Sequence, residues 1–310
     1  LDEQNIIPNY QFGFRAGHSC NLQLMRKVET ILTAWNKSSQ VTVFYFDIAR
    51  AFDSVWHLGL VWKFIRAGFP IAFCGFVYSY LRDRVFKLRV EDSYSEEKKI
   101  HRGVPQGSVV APYFFNLFMS DLPNIDPCSY FQYADDTAIA AVSRKKDNAA
   151  RKLQTAVDLV SGWFTKWKMD LNVEKCATML YSRRYSRNPT VNIILNGANI
   201  EWTDRYTYLG MTFDRQLSWT FHANAVRQRM KILRAALGCL LRRNSVLSVD
   251  NKLLIYKTMF LPIVLYGFAA LTTIKGYNLD KICAGQNILL RQLGTYPWYV
   301  RNQVIHSDLA

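Results

Sequence analysis

No two cysteines of this 310-residue chain lie near one another: Cys20, Cys74, Cys128, Cys176, Cys239 and Cys283 are scattered singly, and the five histidines are as dispersed. That spacing excludes a zinc ribbon or a disulfide framework and points to a reducing, intracellular compartment. Long apolar runs are also missing. The nearest approach to transmembrane length, Met259 to Leu271, is short and carries Pro262 and Gly267, so no membrane span is expected. There is no internal repeat or low-complexity linker, no signal peptide is expected, and the opening LDEQNIIP has the look of a cut through a larger protein. Acids are scarce where bases are not: residues 215–310 hold 13 Lys and Arg against Asp250, Asp280 and Asp308. The whole chain has 39 bases, 24 acids and a formal charge of +15. An excess of that size selects polyanionic partners, nucleic acid before an anionic membrane.

What is there suits a folded protein of two or three subdomains, with half the residues apolar and a fifth charged. Apolar spacing predicts a helix over 21–36 and another over 53–67, which Gly68 and Pro70 end. VTVFYF (41–46) is a continuous β-branched and aromatic run, hence a buried strand ending at Asp47. FKLRV (86–90) alternates as a half-exposed strand before a polar hairpin tip. Residues 108–122 predict a buried helix with Pro112 in an early turn. SYFQY (129–133) and TAIAAV (137–142) form a hairpin with Asp135 and Asp136 at its turn. Asp147 is placed to cap a helix whose stripe is Leu153, Val157, Val160, Phe164 and Trp167. Short strands are expected near 177–181, 191–195 and 206–213. From about Phe221 the pattern is helical, with Arg227, Lys231 and Arg234 sharing one face.

Two apolar strands, in FDIARAFD (46–53) and YADD (133–136), thus deliver carboxylates to strand ends 88 positions apart. Such acids are costly to crowd together unless a divalent cation neutralises them. Hard oxygen ligands suit Mg²⁺, and a pair of ions roughly 3.5–4 Å apart is the usual arrangement for in-line phosphoryl displacement.

QFGFRAGHS (11–19), FDIARAFDSV (46–55), RGVPQGSVVAP (102–112), YADD (133–136), LNVEKC (171–176) and YTYLGM (206–211) resemble, in order and spacing, the motifs of non-LTR retrotransposon reverse transcriptases of the jockey type. The resemblance is close to about residue 215, and LPIVLYG (261–267) extends it into the tail. It implies an α+β right-hand polymerase: partial fingers over 1–40, a palm over 41–215 with further fingers segments at about 71–106, and a basic helical thumb and connection over 216–310. It implies RNA-directed DNA synthesis from dNTPs on an RNA template and DNA primer, with two Mg²⁺ ions or Mn²⁺ in their place. Asp47 and Asp135 would be metal ligands, Asp136 the third acid and the Ile48 carbonyl a further ligand. Phe52 matches the ring that excludes a 2′-OH, core packing being its other reading. Gln106 and Gly107 match the element beside the templating base and incoming nucleotide. Lys175 matches a pyrophosphate-protonating lysine, or is a solvated one. Arg15 is placed for a triphosphate or template contact, or for a structural ion pair. Tyr208, Leu209 and Gly210 match the primer grip, and Arg227, Lys231 and Arg234 a thumb face along the duplex. Phe52 and the ADD sequence argue against an RNA-dependent RNA polymerase.

The resemblance also implies flanking endonuclease and nucleic-acid-binding domains in a parent protein that works in cytoplasm and nucleus as a ribonucleoprotein. Val109–Val110–Ala111–Pro112 departs conservatively from the usual VLSP. A fingers segment with an Arg-Pro motif precedes QFGF in the family, whereas ten residues precede it here, so the chain alone is expected to bind primer–template and extend it weakly. The rival reading is a decayed or domesticated relic that binds RNA without polymerising. Loss of an acid would favour it, and all three acids are present.

Overall fold

The computed structural model describes residues 6–242 and 244–309. The chain forms two compact units, Leu1–Asp204 and Arg205–Ala310. The first is α+β, built on a five-stranded sheet. α1 (Cys20–Asn36) opens at Ser19, whose hydroxyl accepts from the Leu22 amide, and leads into β1 (Gln40–Phe46). Every β1 residue after Gln40 is buried, which is why the run is β-branched and aromatic throughout rather than alternating with charged residues.

The helix expected over 53–67 is two helices, α2 (Ala51–Ser54) and α3 (His57–Arg66). The break has a cause outside the local sequence. The Gly103 amide donates to the Val55 carbonyl, Val104 to Phe52, and Trp56 bridges Arg102, so the backbone at 55–56 serves another segment. After α4 (Ile71–Leu81), the strand expected at 86–90 is also split, into β2 (Val85–Phe86) and β3 (Arg89–Val90), which pair with β5 (Lys98–Lys99) and β4 (Ser93–Tyr94). Ser95 divides them by accepting from the Leu88 amide through Oγ while its own amide donates to the Leu88 carbonyl.

α5 (Ala111–Met119) carries Pro112 in its first turn, where no intrahelical donor is lost. β6 (Ser129–Tyr133) and β7 (Asp136–Ser143) form the expected hairpin. α6 (Lys146–Lys166) starts at Lys145, and Asp147 does not cap it: its Oδ1 accepts from the Thr190 amide at 2.7 Å and ties down the loop after β8 (Ala177–Tyr181). The hairpin β9 (Ile193–Leu195) and β10 (Ala198–Ile200) precedes β11 (Trp202–Thr203). The sheet order is β11-β8-β1-β7-β6, antiparallel except for β11 with β8. α1 covers the Tyr45 face, where Lys27 bonds that ring's hydroxyl, and α6 covers the Phe44 and Phe46 face, with Phe164 5.9 Å from Phe46.

The second unit opens with a hairpin, β12 (Arg205–Tyr208) and β13 (Met211–Asp214). The resemblance places this hairpin at the end of the palm, with the boundary at 215. It groups instead with the C-terminal helices, because Tyr266 donates to the Leu209 carbonyl at 2.6 Å and Asp214 accepts from the amides of Gln216, Ser218 and Trp219 ahead of α7 (Thr220–Ala236). Next come α8 (Gly238–Leu241) and α9 (Val249–Ile255), and a π turn, Tyr256–Phe260, joins α9 to α10 (Leu261–Leu265). The helical run Val249–Ala270 contains an 18-residue stretch of mean hydropathy 1.7 and is long and apolar enough to cross a membrane by length and composition. Apolar runs alone missed it because Asp250, Lys252 and Lys257 interrupt its first half. α11 (Gly276–Leu293) packs Ile282 against the Ala223, Val226 and Met230 stripe of α7, and α12 (Asn302–Asp308) closes the described chain.

Candidate active site

The β1–β7 register ends at the pair Phe46–Thr137, so the next residues outward, Asp47 and Asp136, face each other across the strand ends. The β6–β7 hairpin pairs Tyr133 with Asp136, leaving Ala134 and Asp135 as a two-residue turn with Ala134 at φ +55°. Three carboxylates are thereby crowded at one end of the sheet. Asp136 keeps an exposed side at the strand end, yet partial desolvation by neighbouring protein atoms, then the charges of Asp135 and Asp47, push its carboxyl up to about 6. A cation at this point would relieve that repulsion, and an all-carboxylate donor set suits a hard divalent ion. Among the described residues no three His, Cys, Asp or Glu side chains are grouped closely enough to hold a metal ion by themselves. The fit rests on the carboxylate oxygens and their mutual repulsion, and suits an ion such as Mg²⁺ that typically takes most of its ligands from water and phosphate.

Asp47 is held from both sides. Its carbonyl accepts from the Asn172 amide at 2.9 Å, Ile48 bridges Leu171, and Ala49 donates to Asp170. The Asp47 amide donates to Cys176 Sγ at 3.4 Å, and burial first, then the Asp47 charge, raises that thiol to about 11. Lys175 is exposed in the turn that begins at Asn172. The Ile48 side chain is buried, and its backbone lies one residue past Asp47.

The YADD turn rests on QFGF. Gln11 is 1% exposed, and its Oε1 accepts from the amides of Gly13 at 2.8 Å and Ala134 at 2.9 Å, while Nε2 donates to the Ala134 carbonyl at 3.3 Å. A Cβ at Gly13 would lie 2.3 Å from the Ala134 nitrogen, so no other residue lets the two turns approach this closely. Asn116 Nδ2 holds the Gly13 carbonyl at 2.8 Å. Arg15 directs one guanidinium nitrogen to the carbonyls of Pro8 and Gln11, both at 3.0 Å, which anchors that end of the side chain to the fold.

Phe52 stands on α2, half-buried. Its ring stacks on Phe115 at 4.6 Å and meets the edge of Phe14 at 6.2 Å. Beside it, Gln106 Nε2 donates to both carboxylate oxygens of Asp53, at 2.9 and 3.0 Å. Gly107 takes φ +86° with open space where a Cβ would sit, so backbone conformation rather than crowding calls for glycine there. The first unit therefore brings Asp47, Asp135 and Asp136 together. The sequence reading gave no role to Gln11, Asn116, Cys176 or Asp53, although Gln11, Cys176 and Asp53 lie inside recognised motifs.

Within the second unit, Leu209 (φ +45°) and Gly210 (φ +73°) form the β12–β13 turn, and Tyr208 is buried. Arg227, Lys231 and Arg234 line one groove of about 200 Å³ floored by Met230, Phe260 and Ile288.

Residues 1–213 match the family model described as reverse transcriptase (RNA-dependent DNA polymerase). The "RNA-directed DNA polymerase from mobile element jockey" of Drosophila melanogaster is 35% identical over 316 residues, covering 99% of this chain and 34% of that protein. The same organism's "Probable RNA-directed DNA polymerase from transposon BS" is 33% identical over 319 residues, covering 100% of this chain and 35% of its own length. The chain thus spans about a third of the length of these curated relatives. Among solved structures, apo telomerase of Candida tropicalis truncated from its C-terminal domain aligns with a TM-score of 0.47 at 13% identity, over 67% of this chain and 40% of that one. On the family match and the two relatives that are a third identical along its length, the chain belongs to the reverse transcriptase (RNA-dependent DNA polymerase) family.

Proposed function

We propose that this chain is the polymerase core of a mobile-element protein, copying RNA into DNA from dNTPs at a primer 3′-OH. The observation that carries the reading is the convergence of Asp47, Asp135 and Asp136, with Asp136 raised to about 6 by partial desolvation and by its two neighbours. The reverse transcriptase family generally uses divalent metal ions. Here Asp47, Asp135 and Asp136, with the Ile48 carbonyl, would hold two Mg²⁺ (or Mn²⁺), which when bound stabilise the attacking and leaving oxygens of phosphoryl transfer.

The chain's other residues position the reactants. Phe52, backed by Phe115, presents a ring that a 2′-OH would strike. Gln106, steadied by Asp53, is assigned to the nucleotide and templating base. Lys175, exposed beside the segment that grips Asp47, is assigned to pyrophosphate protonation. Residues 208–210 are assigned to the primer, and Arg227, Lys231 and Arg234 to duplex phosphates. Fingers, palm and thumb follow the sequence assignment, with the β12–β13 hairpin grouped with the thumb.

The test is extension of oligo(dT) on poly(rA) by the purified chain, and by a version extended upstream in its parent frame. Mg²⁺-dependent dTTP incorporation that the upstream residues strengthen is the expected result. Hybrid binding without incorporation by either form, at any Mg²⁺ or Mn²⁺ concentration, would favour the relic.

A further inference from the structure

The acids occupy one end of the sheet, and the other end holds an open cavity of about 610 Å³. It lies where Gln40 begins β1 and the chain leaves β8: Val41 pairs with Tyr181, so Ser182 and the loop after it turn up beside the end of α1. Asp47 lies seven positions after Gln40, which at ~3.3 Å per step puts the cavity roughly 20 Å from the acids.

Three features of its lining point to a ligand. First, Trp35 is 8% exposed, and its indole N–H has no hydrogen-bond partner among the described residues; Gln40 Oε1 is likewise buried and unpartnered. A buried donor and a buried acceptor are each unfavourable when left unpaired, and a group that both donates and accepts would satisfy the two. Second, Arg183 and Arg184 are exposed, and no carboxylate among the described residues pairs with either. Ser182, buried, fixes the loop by donating to the Arg184 carbonyl at 2.7 Å. Third, Tyr185 beside them is 84% exposed, an aromatic face with solvent on it.

We propose that this cavity is a second RNA site, which holds single-stranded RNA outside the polymerase cleft. Arginine forks match phosphate oxygens, an exposed tyrosine offers a stacking platform for a base, and a ribose 2′-OH is both donor and acceptor, as Gln40 and Trp35 require. DNA lacks that hydroxyl. The volume is within the range of ligand clefts, about 300–1,000 Å³. The choice of RNA rests on the reverse transcriptase reading, whereas the geometry does not depend on the acids.

The experiment measures anisotropy of labelled oligo(U) and oligo(dT) on the full chain, with unlabelled poly(rA)·oligo(dT) saturating the cleft. Primer extension is followed in parallel. The wild type should prefer oligo(U). Arg183→Ala with Arg184→Ala should reduce the slope of log affinity against log salt by about 1.4, two contacts at ~0.7 each. Tyr185→Ala should weaken oligo(U) by about 5- to 150-fold, the worth of one stacked base. Trp35→Phe keeps the ring packing but removes the N–H, and should narrow the preference for oligo(U). Extension of the hybrid should be unchanged in all three. Unaltered oligo(U) affinity and salt slope in the arginine variant would overturn the proposal, as would loss of phosphatidylserine-vesicle binding in place of RNA. Equal wild-type affinity for the two oligonucleotides would overturn the hydroxyl assignment and with it the choice of RNA. A chain that extends no primer yet loses oligo(U) in these variants would sink the polymerase reading and leave this site standing.

Discussion

Replacing Gln11 by methionine keeps the volume of the side chain and removes its hydrogen-bonding atoms. In the native chain its Oε1 accepts from the amides of Gly13 and Ala134, and its Nε2 donates to the Ala134 carbonyl. Both amides lie in buried backbone, with Gly13 packed against the Ala134 nitrogen too closely for water to enter between them. Each unpaired buried amide costs about 1–3 kcal/mol, so Gln11→Met should lose about 2–6 kcal/mol. Against a typical domain stability of about 5–15 kcal/mol that is a severe loss. It falls on the turn that carries Asp135, so weaker divalent-ion affinity should accompany it. Urea denaturation followed by tryptophan fluorescence gives the stability, and hydrogen exchange at the Ala134 amide reports the turn itself. A loss below about 0.5 kcal/mol, the scale of an ordinary surface change, with undiminished protection at Ala134, would refute the reasoning.

Other consequences are open to measurement. Phe52→Val should raise rUTP incorporation by about 10- to 200-fold while dTTP incorporation persists, the range one pocket contact commands; background rUTP use would return the ring to core packing. A carboxyl whose folded pKa is raised binds its proton more tightly folded than unfolded. With Asp136 raised from 3.8 to about 6, the metal-free fold should lose stability as pH rises through that interval. Asp136→Asn should remove that fall, and parallel urea midpoints for variant and wild type across the interval would contradict the assignment. Replacing Arg227, Lys231 and Arg234 together by alanine should shrink the salt slope of hybrid binding by up to about 0.9 per lost contact, taking the duplex DNA figure as a guide. An unchanged slope would place that groove away from nucleic acid.

The sequence was most readable where burial repeats a pattern. β1 is β-branched and aromatic throughout after Gln40 because both its faces are covered, and α6 shows its stripe because one face packs on the sheet. The acids were readable because two strands deliver them and their motifs stand in a familiar order. What escaped was pairing across distance. The break between α2 and α3 is set by amides at 103 and 104, and Asp147 caps nothing because a loop amide 43 residues on reaches it first. Gln11 bonds a turn 123 residues away, and Asn116 bonds Gly13 across 103, contacts that leave no local periodicity. The tie of the β12–β13 hairpin to Tyr266, which spans 57 residues, likewise left no local signal.

The central claim is that the three converging carboxylates carry the chemistry. It is tested most directly by single-turnover dTTP incorporation on poly(rA)·oligo(dT) with Asp47→Asn and Asp135→Asn, measured beside hybrid affinity in the same preparations. Binding should persist in both variants while the rate falls by on the order of 10²–10³-fold or more, the cost of removing one electrostatic stabiliser from a reacting centre. Wild-type rates in either variant, with binding intact, would contradict the account.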